Sequence, residues 1–464
     1  MKNCIIVGGG ICGIFSSIVL ADRFENVYLV ESQECCGGLL RSIQDENGVI
    51  YDQGTHIPSS TLVTEIDDIL FGSEQEKYED WHVLGKLKTG NFFSGEWDFN
   101  TQIVDTRKLA VRDYEKGIVE LLTLTQKSNA SFILPYLKET IGPTFTDKIA
   151  IPLLKKLYGG KTNLNELITR SSINYFGLSR VIGLSADVTK KLKEMPVFDE
   201  KLGFHNAQEY QDKMAENNVQ ECAYYYPKGD KGVQLWIEKL IHKAKKKGVT
   251  FLTNESISKI THSNNHITSV TLKNANKVLE CDLLYWGAAP VMAMHAAELK
   301  VDSARPNLRT ANIFHFTFDK PILNTSSHYL WNWDVTHKSF RVTLYPNLKN
   351  DDACSHTHSL TIEALTGPDD SDIVNAEMML DELKSMRLIS EDSRVVSSLR
   401  QTLHNTFPVP TQEFNLTCEN NFNFLNNSFD NIMISGRFSG KLWLQSDILK
   451  SAYDSITTEY PLFR

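Results

Sequence analysis

The first 31 residues constrain this chain more than any other stretch. Cys4-Ile5-Ile6-Val7 is apolar and rich in β-branched residues, which predicts a short buried strand. Gly8-Gly9-Gly10-Ile11-Cys12-Gly13 follows at once, and Ile14 to Ala21 then has helical length and apolar character. Val27-Tyr28-Leu29-Val30 predicts a second strand, and it ends at Glu31. A strand, a GxGxxG turn, a helix, a strand and an acid in this order form a dinucleotide-binding fingerprint. Gly8 permits the tight turn, Gly10 lets backbone approach a pyrophosphate, and Gly13 lets helix pack closely on strand. Ile11 and Cys12 open the helix, where the positive end of its dipole favours an anion. Glu31 suits a ribose 2′,3′-hydroxyl pair, and its charge disfavours a 2′-phosphate.

The same apolar start could be mistaken for a signal peptide. Glycines 8, 9, 10 and 13 break it, and Asp22, Arg23 and Glu25 stand where a cleavage site should be. No other run approaches ~18 apolar residues, so no membrane span is expected. The eight cysteines form no CxxC pair, which predicts reduced thiols and a cytoplasmic chain. His356 and His358 alternate with no third ligand nearby, so no metal is expected. With 464 residues, 41% hydrophobic and 23% charged, the chain is globular and enzyme-sized. A net charge of −9 argues against a nucleic-acid partner and leaves a small-molecule substrate.

Further on, Glu34-Cys35-Cys36-Gly37-Gly38-Leu39-Leu40-Arg41 is followed by Tyr51-Asp52-Gln53-Gly54-Thr55-His56. This E…GG…R, hairpin, D-x-G-x-H pattern resembles the flavoprotein clan of amine oxidases, protoporphyrinogen oxidases and UDP-galactopyranose mutases. The resemblance implies FAD as cofactor, with NAD(P)H as an external reductant. It makes Gly37, Gly38, Leu39 and Arg41 FAD contacts, and Gly54, Thr55 and His56 flavin-edge residues. A strand near Ile257 would pass the adenine, and Gly436-Arg437, before a C-terminal helix, resembles the closing FAD motif. The implied fold is α/β, α+β overall. It has a discontinuous Rossmann-like FAD domain of the GR2 type at 1–70, 215–290 and 410–464. An interleaved substrate domain of helices and antiparallel sheet lies at 71–214 and 291–409.

Three local matches resemble the mutase branch. They are Ser339-Phe340-Arg341-Val342-Thr343-Leu344-Tyr345-Pro346-Asn347, Phe407-Pro408-Val409-Pro410-Thr411, and Gly436-Arg437-Phe438 with Asp447. In that family the strand arginine grips the substrate diphosphate, so Arg341 becomes a site residue, with Arg180 a second candidate. Leu442 departs from the pattern, since the mutases carry an arginine there. The mutase reading has reduced FAD attack a nucleotide-sugar through N5, with no net redox change. The alternative is an oxidoreductase of the protoporphyrinogen or amine oxidase type that takes a hydride from an amine or other small organic substrate. The Tyr224-Tyr225-Tyr226 run, Trp331 and Trp333 are compatible with that apolar site, although such residues also build ordinary core.

Overall fold

A computed structural model of the chain describes residues 2–168, 173, 175–301, 307–349, 358–440, 442 and 444–462. Its centre is a five-stranded parallel sheet. In spatial order the strands are Ile432–Ile434, Leu283–Trp286, Asn3–Val7, Asn26–Val30 and Thr250–Leu252. The strands run as nearly unbroken apolar residues because both faces are covered. Cys4 and Ile6 point into the cluster formed with helix Ile11–Leu20, helix Gln234–Lys246 and helix Gln445–Glu459. Ile5 and Val7 alternate to the other face, against the three-stranded antiparallel sheet 257–280 and helix Pro290–Ala296. Chain order reverses direction between strands Asn3–Val7 and Leu283–Trp286. Open α/β sheets bind ligands at the carboxyl ends of such a switch point.

Helix Gln234–Lys246 buries a stripe of Trp236, Ile237, Leu240 and Ala244. Its lysine end is solvated: Lys245 and Lys246 are exposed before Gly248, at φ +88°. The strand expected near Ile257 is present and pairs with His266–Leu272, and the C-terminal helix follows Gly436-Arg437.

The second large element is a seven-stranded sheet. Its order is Val395–Pro408, Leu308–Phe318, Ser359–Thr366, Ser339–Leu344, Tyr329–Asn332, Thr89–Phe93 and Glu96–Asp98. The last two strands come from residues 71–214, far in sequence from the other five. Phe92 pairs with Trp97 across a tight turn in which Ser94 takes φ +56°, and the hairpin joins the sheet by a parallel pairing to Tyr329–Asn332. Helices Ile133–Ile141 and Ile151–Tyr158 pack on one face of this sheet, against Phe93, Trp331, Trp333 and Phe340. The two tryptophans are fully buried and stacked, ring centroids 5.1 Å apart, so they are core. No described helix is long and apolar enough to cross a membrane.

Burial makes this sheet acid-sensitive at His315, which is 0% exposed and bonded through Nδ1 to Thr361 Oγ1 at 2.7 Å. Burial pushes its imidazole down to about 4, against about 6.5 in an unfolded chain. Between those values the unfolded chain binds a proton that the folded chain refuses. Stability therefore falls as pH falls through that window, by about 3 kcal/mol in full. His315→Gln is expected to flatten the slope of unfolding free energy between pH ~6.5 and ~4.5 in denaturant titrations. A slope equal to that of the unaltered chain would clear His315 of this role.

Candidate functional site

The site begins where the first strand turns into its helix. A Cβ on Gly13 would lie 2.0 Å from the Gly8 carbonyl oxygen, so only glycine allows the helix this close. A Cβ on Gly10 would meet nothing within 4 Å, which leaves the pyrophosphate side of the turn open. Helix Ile11–Leu20 has Gly10 as N-cap and no side-chain capping bond, so its first amides face that space. Cys12 sends its thiol the other way, to Tyr285 Oη at 3.3 Å and Ser435 Oγ at 3.5 Å. Only its backbone faces a ligand. Glu31 accepts from the amides of Gly9 at 2.7 Å and Gln33 at 2.8 Å, which fixes the carboxylate beside the turn.

The second glycine cluster meets the first. Gly37 N donates to Gly9 O at 2.7 Å, and a Cβ on Gly38 would lie 3.5 Å from Gly10 Cα. Arg41 folds back over this junction. Its Nη1 contacts Cys35 Sγ at 3.1 Å, while its Nε is buried with no hydrogen-bond partner. An orphaned guanidinium nitrogen at an open glycine turn fits an anionic group. Leu39, 36% exposed, lies on the same turn. Glu31 N donates to Leu252 O and Glu31 O accepts from Glu255 N, which carries the 252–257 segment, with Ile257, alongside the acid. Gly436 closes the set, since a Cβ there would lie 3.1 Å from Gly287 O. These residues together fit a dinucleotide such as FAD.

The loop 52–56 leads from there to a polar, charged group of side chains. Asp52 is buried and accepts from Tyr226 Oη at 2.7 Å, Val233 N at 2.9 Å and Ser42 Oγ at 3.0 Å. Burial raises its carboxyl pKa, and these bonds oppose that. Tyr345 Oη contacts the Asp52 amide at 3.1 Å. His56 Nε2 lies 3.1 Å from Gln53 O. Burial first, then Arg341, pushes the His56 imidazole down to about 4, so it is neutral at pH 7. Arg341 and Glu363 are cross-strand neighbours and pair through two bonds, Nε–Oε1 at 2.8 Å and Nη2–Oε2 at 2.7 Å. Burial opposes both charges, but each holds the other ionised. Arg437 joins this group: burial lowers its pKa to about 10, Tyr175 raises it and Arg341 lowers it. Tyr175 and Tyr329 also act on Arg341, and Tyr224 acts on Tyr329.

His56, Thr55, Arg341 and Arg437 are thus brought together, beside Gly54. Arg180 acts instead on Lys193 and Tyr210. Arg341 is not on an exposed strand face; its side chain is 15% exposed and ion-paired. Tyr225 stacks on Phe71 and Tyr226 bonds to Asp52, so two of the three tyrosines are core. Glu363 is the residue that sequence reasoning missed. A lone carboxylate inside the apolar strand Ser359–Thr366 was its available signal, because a buried charge must find a partner. Among the described residues no group of His, Cys, Asp and Glu suits a metal. His356, Lys441 and Trp443 lie outside the described residues.

Residues 6–65 match the family model of an NAD(P)-binding Rossmann-like domain. Among solved structures, a reduced UDP-galactopyranose mutase shares the fold at TM-score 0.74 and 16% identity, covering 99% of this chain and 95% of that one. A candidate protoporphyrinogen oxidase from Exiguobacterium sp. 255-15 does so at TM-score 0.66 and 14% identity, covering 99% of each chain. An oxidoreductase from Methanosarcina mazei matches at TM-score 0.61 and 14% identity, over 98% of this chain and 100% of that one. The fold is therefore the one these three structures share, with a Rossmann-like domain at its start.

Arg41→Met is expected to weaken FAD binding by about tenfold or more, since one charge-assisted contact is lost. The melting temperature of the flavin-free chain should barely move, because Arg41 Nε has no protein partner and the contact of its Nη1 is with the exposed Cys35. Equal affinities in flavin titrations of the two chains would remove Arg41 from the site.

Proposed function

We propose that this chain is an FAD-dependent flavoenzyme acting on a small anionic substrate, and that the substrate is a nucleotide-sugar interconverted between pyranose and furanose forms. The insertions 71–214 and 291–409 would form the substrate domain over the flavin. One observation carries the choice of substrate. Two guanidiniums, Arg341 and Arg437, act on a neutral His56, together with one carboxylate, Glu363. That balance attracts an anion and repels an ammonium group. At ~6 Å and an effective dielectric constant of ~20, one unit charge is worth about 3 kcal/mol. The aromatic rim of Tyr175, Tyr224 and Tyr329 also suits an oxidoreductase of the protoporphyrinogen oxidase type, which is the second reading.

In the proposed site the first helix, Gly37-Gly38 and Arg41 bind the cofactor, and Glu31 holds its ribose. FAD, when bound and reduced, would supply a nucleophilic ring nitrogen or an electron pair. Arg437 and the free edge of Arg341 orient the substrate diphosphate over that ring. His56 stays neutral at pH 7, so it orients through hydrogen bonds without adding a positive charge. Tyr329 and the loop 53–56 keep water from the reacting centre.

The deciding assay supplies UDP-sugars to the yellow protein with and without dithionite, or with NAD(P)H as reductant. Ring interconversion that requires reduced flavin is expected. Inert UDP-sugars together with peroxide formed from an amine or a tetrapyrrole would overturn the reading. Within this assay Arg437→Met is expected to raise KM by about tenfold or more, with flavin still bound. An unchanged KM would exclude Arg437 from substrate binding. Arg341→Ala is the poorer probe, because it would leave Glu363 buried and unpaired at a cost of about 3–5 kcal/mol.

A further inference from the structure

We propose that Glu363 is a positioning residue of this site: it holds one edge of Arg341 inside the protein, ties it to the flavin-edge loop, and thereby limits how strongly the site takes an anion. This rests on the reading that an anionic substrate meets Arg341 beside a flavin. Glu363 is 2% exposed and sits on strand Ser359–Thr366, directly across from Arg341. The pair uses Arg341 Nε and Nη2. Nη1 takes no part in it, so one edge of the guanidinium remains for a ligand. The same carboxylate holds the loop. Glu363 Oε1 also accepts from Thr55 N and Thr55 Oγ1, both at 3.2 Å. A Cβ on Gly54, at φ +95°, would lie 3.0 Å from Glu363 Oε2, so the loop backbone presses on the carboxylate where only glycine fits. Thr55 Oγ1 contacts Thr343 Oγ1 as well, on the strand that carries Arg341. One carboxylate therefore joins the arginine, the loop and the neighbourhood of His56.

The arrangement has a consequence for charge. With Glu363 present, part of the Arg341 field is neutralised before any substrate arrives. A substrate phosphate then meets a moderated site, which it can leave as well as enter. Glu363→Gln separates the two duties of the residue. The amide oxygen can still accept from Arg341 Nε and from Thr55. The amide NH2 would face Arg341 Nη2, donor against donor, and the negative charge would be gone. Arg341 then offers its Nη2 edge to the ligand side at full charge.

The test uses the FAD-loaded protein, in which the dinucleotide turn is filled, and inorganic pyrophosphate as the probe, read by calorimetry. Glu363→Gln is expected to bind pyrophosphate about tenfold more tightly than the unaltered chain. It should also favour reduced flavin by about tenfold, which for a two-electron couple is about 30 mV upward in midpoint potential. Weaker pyrophosphate binding, or unchanged affinity and potential in a folded variant, would overturn the proposal and leave Glu363 a purely structural residue. If Glu363→Gln does not fold, the double variant Arg341→Met with Glu363→Leu removes the pair without stranding a charge. It should lose pyrophosphate affinity by about tenfold or more, and an affinity equal to that of the unaltered chain would overturn the proposal. A chain that neither carries nor takes up FAD would sink the flavoenzyme reading alone. The difference in pyrophosphate affinity between Glu363→Gln and the unaltered flavin-free chain would still judge Glu363, because the glycine turn is the same in both.

Discussion

Everything in this structure hangs on the close approach of backbone at the carboxyl ends of three parallel strands. Gly287 N donates to Val7 O at 2.8 Å, and Ser435 N donates to Trp286 O at 3.0 Å. Gly287 and Gly436 leave little room for side chains there: a Cβ on Gly287 would lie 2.9 Å from Val7 O, and one on Gly436 would lie 3.1 Å from Gly287 O. These three segments lie far apart in sequence. Their meeting forces the chain to leave the parallel sheet and return to it twice. The intervening stretches must then fold over the sheet end where the glycines sit. The interleaving of the fold and the location of the site share this one cause.

A second constraint mounts the antiparallel sheet on the first. Asp52 is a buried carboxylate, and burying it is costly unless its oxygens are satisfied. Its partners come from two places, Ser42 on its own hairpin, and Tyr226 and Val233 around the entry to helix Gln234–Lys246, while Tyr345, directly after strand Ser339–Leu344 of the large sheet, holds its backbone. Losing any of these would leave a polar group unpaired in the interior, which costs about 1–3 kcal/mol. Loop 52–56 is therefore clamped between the two sheets. Thr55 and Gly54 are delivered to Glu363, and His56 to Arg341 and Arg437, by a junction that has little freedom to shift.

The sequence made the parallel half legible and the antiparallel half much less so. Gly8, Gly10, Gly13 and Glu31 answer to local demands, a tight turn, an open backbone, a close helix and a carboxylate held on the Gly9 amide, and all of those operate within one βαβ unit. Gly37 and Gly38 were also readable, because their partners at Gly9 and Gly10 lie nearby in the chain. The hairpin 89–98 was hidden, since its pairing partner Tyr329–Asn332 is a remote strand and its own residues give no alternation. Arg341 was visible as a residue, but not its bond to Glu363. That pairing is set by strand register, and register across a long connection leaves no mark in local composition. Arg180 shows the converse: a plausible charge in a plausible stretch, carried by the fold toward Lys193 instead.

A fold of this kind accommodates more than one chemistry, so the distinction must come from the charges at the site. Burial is what gives those charges force. In water, Arg341, Arg437 and Glu363 would be screened to a fraction of a kcal/mol each beyond a Debye length. Inside the protein, burial and then the two guanidiniums hold His56 neutral against the pull of Glu363, and burial with Arg341 lowers the Arg437 pKa to about 10. A lowered arginine pKa records that the folded chain bears the cost of a buried positive charge. An anion placed beside that charge recovers the cost, whereas a cation adds to it. The selectivity proposed here therefore needs no contact specific to any one sugar or base. It follows from two buried guanidiniums, one of them paired with Glu363, set beside Tyr175 and Tyr329.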